Sequence, residues 1–597
     1  MKKLTFKWQS ALSNRLSANK YTSENRLPNA DSQSNMLKNK KILTQIGIIL
    51  PIFFFILMLF TYAVNVPWMD DTEVFPDFLG KFLASQTFDE RIWLLLKPNN
   101  EHRVVYAKIL TLIHYAITGT LNMKTLTILS NVTLLGILWL FWKVIKEQKI
   151  AAIYFLPIPF FLLQPQYYLT SLWTITGRQH QPVIFFGLLG MYLLSKNTNK
   201  TLFMAIIVVL FNSFTMSNGL FYWIVGMIIL ALQGRYKILI LWTILTITTF
   251  KLYFYKFDQG ANSQGFDYFF KNPHESFFGF FTYLGGSFDF LTLYPILIRS
   301  IIPTIVGFIL VGISIWWIFS KLFSSKEKFS LLLFWEKLQH KFNQEPTNYI
   351  IFGLFLFVII NASIIAILRP RFGYFVMLVG NYKIYPALFL SIVYLMVLTG
   401  WLKFQKSQKY FNWILIGSVF FNLVSYLKFL PEVQERRKDL LVRVFNQEHN
   451  QIGLGPMVGS DFDRYVQTVM GRLVPTGIYQ YPKTIFTDSE KEILAKLPDN
   501  QSIKVDILKM NNEIFVASKD LKIGIGIDDG IYLLLKSAKK TYLIYQKRNV
   551  LGFFKKEIAI QIPPQYLIPD TYQIGILWVN GGVKKVFNAN ESVVVNY

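Results

Sequence analysis

The sequence predicts a polytopic α-helical membrane protein of about 11 spans, followed by a β-sandwich-like C-terminal domain. Three observations carry this. Of 597 residues, 53% are apolar and only 16% charged, against roughly 25% charged in an ordinary soluble domain. Runs of about 20 apolar residues, long enough to cross a bilayer core, recur from Ile42 to about residue 430. Beyond about residue 500 the pattern changes to short apolar or alternating runs between turn signals.

The first span, Ile42–Val64, starts too late and runs too long for a cleaved signal peptide, so it reads as a signal anchor behind a basic arm, 1–41. The other expected spans are 125–145, 150–165, 182–195, 201–216, 217–233, 237–254, 299–320, 348–367, 383–401 and 411–428. Net charge is +26, divided as +7 over 1–44, +15 over 45–430 and +4 over 431–597. The connections 143–149, 196–200, 233–237, 321–347 and 402–410 each hold at least two Lys or Arg, including Lys403 and Lys406. Excess Lys and Arg mark cytoplasmic loops, so the N-terminus is expected inside and 431–597 outside. The basicity is therefore an orientation signal, and no nucleic-acid partner is expected. With no cysteine, disulfides, thiolate metal sites and cysteine nucleophiles are excluded.

The long outer connections, 65–124 and 255–298, hold eleven of the fifteen acids of the middle section, Asp258 among them. Transporters and pumps usually place ionisable groups at mid-membrane depth; here the polar chemistry is gathered on one face. After Pro431 a helical stretch, Glu432–Glu448, leads to runs such as SIKVDIL, IYLLLKS and YQIGILWV, separated by turns that include Asn511-Asn512. This domain, 431–597, is expected to be β-rich from about 500. It reads first as a cap over the membrane face and second as a carbohydrate-contacting module.

Three features offer chemistry. Asp70-Asp71 follows the first span directly; adjacent carboxylates at an interface repel, and persist where they bind a metal, take protons or hold a polar ligand. Capping of a helix toward Ser85 accounts for one of them. Next, Asn99 or Asn100 can cap a helix ended by Gly119, which places Glu101, His102 and Arg103 in its first turn. The bland alternative is an amphipathic helix lying on the membrane. Third, Arg369-Pro370-Arg371-Phe372-Gly373-Tyr374, with Asn381-Tyr382-Lys383, puts two Arg in an outer loop, and Arg178 is a second exception to the charge rule. An anionic ligand gripped by guanidinium forks explains them, as does a headgroup phosphate or a nearby carboxylate.

These features, in this order, resemble the bacterial polytopic glycosyltransferases of the GT-C type. The matching elements are the acid pair after the first span, Asn100-Glu101-His102-Arg103 and the Ser217-Asn218-Gly219 break. An Arg369-x-x-Phe372-Gly373 segment before Asn381-Tyr382 and the β-rich tail complete the likeness. Where the family pattern has Ser-Arg-Tyr, this chain has Gly380-Asn381-Tyr382-Lys383, so the basic residue lies two positions later. The resemblance implies a GT-C-like catalytic module over 42–430 in the bacterial plasma (inner) membrane. It implies a sugar donor linked to polyprenyl phosphate, a glycan or glycoconjugate acceptor arriving from outside, and inversion at the anomeric carbon. Asp70, Asp71 and Glu101 would be catalytic, and would be the ligands of a divalent metal if one is used. His102, Arg103, Arg178, Arg369, Arg371, Tyr382 and Lys383 would bind substrate or phosphate. The alternatives are a lipid-linked-glycan flippase or transporter, a glycan ligase or polymerase, and a scaffold whose sandwich binds a partner.

Overall fold

The computed structural model describes residues 30–257, 263–322, 331–402, 408–510, 513–518, 524–545 and 558–596. The first 29 residues of the basic arm, Asp258, Lys403, Lys406 and Asn511-Asn512 lie outside the described residues. The chain forms two units, Met1–Pro51 and Ile52–Tyr597. The described part of the first is the opening of helix Ala30–Tyr62. Every candidate residue named above belongs to the second.

Six described helices are long and apolar enough to cross a membrane: Lys41–Tyr62, Met123–Glu147, Tyr236–Tyr253, Ile296–Ser320, Thr347–Leu368 and Lys409–Asn450. Each coincides with an expected span. They leave large apolar side chains uncovered, Phe60, Ile240, Leu297 and Phe420 among them, a surface that a water-soluble protein avoids. Of the other expected spans, 182–195 lies within the 22-residue helix Thr174–Ser195, which is outside those six, and the rest are shorter or broken. Apolar helices Asn199–Ser213, Ser217–Leu232 and Ile384–Gly400 fall below spanning length. The segment expected at 150–165 is a 3-10 turn, Ala152–Phe155, and a short helix, Pro157–Leu162. Pro157 and Pro159 sit in the first turn of that short helix, where a missing N–H costs little, and Gln164 before Pro165 is extended, which separates it from the next turn.

The composition break at Pro431 falls inside one rod. Helix Gln408–Asn450 runs 43 residues through that proline. Tertiary contacts hold it on both sides. Asn422 donates to the carbonyls of Phe160 and Leu163 at 2.9 Å each, and Lys438 donates to that of Asp529 at 2.6 Å. The loss of one backbone hydrogen bond is thereby tolerated.

Seven strands are described: β1 Asp506–Met510, β2 Glu513–Ser518, β3 Gly530–Lys536, β4 Thr541–Tyr545, β5 Ile558–Ile562, β6 Asp570–Asn580 and β7 Val583–Val595. They form two antiparallel sheets, ordered β1-β2-β5 and β4-β3-β6-β7. Gly581 and Gly582, at φ 58° and 84°, make the tight β6–β7 turn that a twisted hairpin requires. Val516, Ile560 and Ile562 of one sheet share a core with Leu533, Ile576 and Val593 of the other. The second face of the four-stranded sheet is also covered, by Leu441, Val442 and Phe445 of the long helix with Phe486 and Ile493. Burial on both faces is why β3 is buried throughout and carries the unbroken run Ile531–Leu535 instead of alternating.

Candidate functional site

Segments far apart in sequence meet where several apolar helices end. After the first long helix the chain turns at Trp68–Asp70 and re-enters a helix that runs to Ala84, widened to a π turn over Glu73–Asp77 around Pro76. Ser85 ends that helix, at the position expected. Asp71 opens it but does not cap its own first turn. Its Oδ2 accepts the Trp68 N–H at 3.1 Å and its Oδ1 the Ile175 N–H at 2.9 Å. Asp71 is 1% exposed, and burial pushes its carboxyl up to about 8 despite those two hydrogen bonds. Asp70 is half-buried and accepts one bond, from Asn100 Nδ2 at 3.3 Å. Burial raises its carboxyl, the Asn100 bond opposes, and the Glu73 charge adds to the rise.

The Asn-Glu-His-Arg segment is a turn before a helix and not the first turn of one, which corrects the expectation. The helix is Val105–Thr118, with Gly119 ending it at φ 69° as expected. Asn99 and His102 exchange backbone bonds at 2.8 and 3.0 Å, which closes the turn, and Asn100 sits at φ 48°. The Asn99 side chain donates to Glu73 Oε2 at 2.5 Å. Asn99 therefore ties the turn to the preceding helix and is not free to cap the next one.

The turn presents its three side chains in three directions. Glu101 forms an ion pair with Arg369 and faces Arg371 at 3.8 Å. His102 Nδ1 lies 2.8 Å from Ser217 Oγ. Burial pushes the imidazole down to about 4, with the Glu101 carboxylate opposing and the Arg369 cation contributing. Arg103 turns away, 3% exposed. Its guanidinium donates to the carbonyls of Leu96, Tyr253 and Tyr255, two of them at the C-terminal end of helix Tyr236–Tyr253. A cation is favoured at that end of a helix, so Arg103 fastens the loop, and all its donor groups point into protein.

Two glycines make the approach of the other segments possible. A Cβ at Gly219 would stand 2.1 Å from the Asn212 carbonyl oxygen, so the Ser-Asn-Gly break packs backbone on backbone. Gly373 sits at φ 107° between the 3-10 turns Pro370–Phe372 and Tyr374–Leu378. That conformation is closed to other residues, and it aims Arg369 and Arg371 back at Glu101. Inward from His102, Asn218 Nδ2 donates to Asn361 Oδ1 at 2.5 Å and to the Tyr385 hydroxyl at 3.2 Å. His180 Nδ1 meets the same hydroxyl at 2.8 Å. Tyr382 packs edge-on against His180 with centroids 5.9 Å apart.

Two expected site residues lie elsewhere. Arg178 is 2% exposed and donates to the Leu126 carbonyl at 2.8 Å. Lys383 pairs with Asp289 at 2.8 Å, and Arg299 also binds Asp289, at 2.8 and 2.5 Å. Asp289 is fully buried; burial alone would raise its carboxyl, but the two cations outweigh it and hold it low. Sequence reading counted Asp289 only as one loop acid, and its position in an aromatic stretch was the available signal. Asn100 and Ser217, which position Asp70 and His102, announce themselves only through the motifs that contain them.

Asp70, Asp71 and Glu101 do not suit a metal. The Asp71 oxygens accept backbone N–H groups and Glu101 is engaged by guanidinium groups. Among the described residues no group of three or more His, Asp or Glu side chains is arranged as a ligand set. No protein-family model matches this chain, and no curated protein or solved structure matches it either.

Proposed function

We propose that this protein is a membrane glycosyltransferase of the GT-C type. It moves a sugar from a polyprenyl-phosphate donor to a glycan or glycoconjugate on the extracytoplasmic side of a bacterial plasma membrane. The observation that carries the reading is the meeting of Asp70, Glu101, His102, Arg369 and Arg371 where apolar helices end. A half-buried carboxylate with a raised affinity for protons, Asp70, is tied through Asn100 to the turn whose Glu101 faces Arg369 and Arg371. In the proposed step the acceptor hydroxyl oxygen bonds to the anomeric carbon from the side opposite the phosphate, and its proton passes to Asp70. The bond from the anomeric carbon to the phosphate oxygen breaks, and Arg369 and Arg371 stabilise the departing lipid phosphate. The configuration inverts. Asp71, held by two backbone N–H groups, positions Asp70. His102, neutral at physiological pH, orders the cavity floor through Ser217.

The test is transfer by the full chain in nanodiscs, with synthetic polyprenyl-phosphate sugars and release of polyprenyl phosphate as the readout. Release that is dependent on acceptor and lost in Asp70→Asn supports the proposal; no release with any donor sinks it. One observation favours a second reading, a flippase. The network His180–Tyr385–Asn218–Asn361–Tyr283 carries polar groups among the helices. Movement of a labelled lipid-linked sugar between leaflets without bond cleavage would select it.

A further inference from the structure

The long helix carries a buried cation that no described acid contacts, although the charges of Asp71 and Asp439 act on it from nearby. Arg436 is 9% exposed and its guanidinium lies over the Trp68 ring, 4.1 Å from the centroid. Its Nε is buried without a hydrogen-bond partner, and its terminal nitrogens bond to no described residue. The acids around it are occupied. Glu432 pairs with Lys428 at 3.7 Å, Asp439 with Arg443 at 2.8 Å, and the Tyr545 hydroxyl donates to Glu435 at 2.6 Å. Asp71 accepts the two backbone bonds described above. An isolated charge buried in this way is costly and normally finds a partner. Tyr168 faces both Glu432 and Arg436. Unpaired buried polar atoms in a native protein call for water or a ligand.

We propose that Arg436, seated on Trp68, is a separate anion-binding site that takes one phosphate or carboxylate group of a ligand. Stacking on an indole leaves the edge of the guanidinium, with its parallel N–H donors, open to two oxygens in one plane. The site is distinct from the Glu101 cluster, and it stands whether or not the protein transfers sugars. The anion belongs either to a soluble acidic sugar or phosphate, or to a lipid headgroup.

Calorimetric titration of the full chain in phosphatidylcholine nanodiscs with inorganic phosphate and with glucuronate tests this, repeated in discs containing phosphatidylglycerol. Expected is binding that falls at least tenfold in Arg436→Met, falls several-fold in Arg436→Lys because the fork is lost, and persists in Arg464→Gln, an exposed arginine outside both sites. Arg436→Met should melt no lower than the wild type, since it removes a buried charge that no described acid contacts and keeps the packing against Trp68. Binding of the soluble probes suppressed by phosphatidylglycerol identifies a headgroup as the occupant; binding unaffected by it identifies a soluble acid. No binding by the wild type in discs free of phosphatidylglycerol, or equal binding by Arg436→Met, overturns the proposal. The readout needs no turnover. A chain that binds anions at Arg436 but transfers no sugar refutes only the transferase reading; one that transfers sugar but binds none at Arg436 refutes only this one.

Discussion

Glu101 and Arg369, 268 positions apart, form an ion pair that joins the Asn99–His102 turn to the glycine-hinged turn after helix Thr347–Leu368. Both side chains keep some exposure, 29% and 21%, so the pair is worth less than a dry one. A double-mutant cycle of Glu101→Gln and Arg369→Gln, read by thermal melting, should give a coupling of about 1 kcal/mol or somewhat more. Glu101→Gln should also impair transfer with the chain still folded. Additive effects of the two substitutions would show that the contact carries no coupling.

Asp70 and Asp71 should separate by phenotype. Asp70→Asn should keep the fold and lower turnover by about 10²–10⁴, the usual range for loss of a general base. Asp71→Asn should act mainly on stability. Full transfer activity in both variants would remove the pair from the mechanism.

Asp71 should also leave a signature in pH. Its folded value, about 8, lies above the ordinary carboxylate value of 3.8, so the folded state holds a proton that the unfolded chain gives up. Its contribution to stability is complete below about pH 4 and declines as pH rises toward 8. His102 works in the other direction. Its folded value, about 4, lies below the ordinary 6.5, so its contribution is complete above pH 6.5 and is lost as pH falls toward 4. The clean window is pH 6.5 to 8. There the melting temperature of the wild type should fall relative to that of Asp71→Asn. Parallel curves would mean that Asp71 is ionised in the fold.

Arg103 should prove structural. Its guanidinium donates to three carbonyls, and lysine cannot reach all three with the same geometry. Arg103→Lys should lower stability by about 1–3 kcal/mol and leave the donor KM of the folded enzyme unchanged. A raised donor KM with unchanged melting would return Arg103 to the phosphate.

Topology can be read from single cysteines in this cysteine-free chain. Asn197 and Ala538 are both exposed. A membrane-impermeant thiol reagent added outside should label Ala538→Cys and not Asn197→Cys. Labelling of position 538 from the cytoplasmic side alone would invert the scheme.

The six helices long and apolar enough to cross a membrane and the two-sheet tail were legible because apolar run length and alternation are local properties of the chain. So was the closeness of Asp70 to the Asn-Glu-His-Arg turn, which about 30 residues separate. The sequence by itself also determined where helix Val105–Thr118 ends, at Gly119, which turns there into the left-handed region, whereas the break within 150–165, read as a span, came only with the structure. The tertiary structure alone decided which cation meets which acid. Arg103 and Arg371 look equivalent along the chain, yet one is absorbed by the carbonyl end of helix Tyr236–Tyr253 and the other faces Glu101. Lys383 is drawn to Asp289, and Pro431 lies within a rod braced from both sides. The physical reason is range. Helix length, turns and apolar periodicity depend on neighbours a few positions away, whereas a charge in a poorly screened interior binds whichever partner the folded chain brings within a few ångströms.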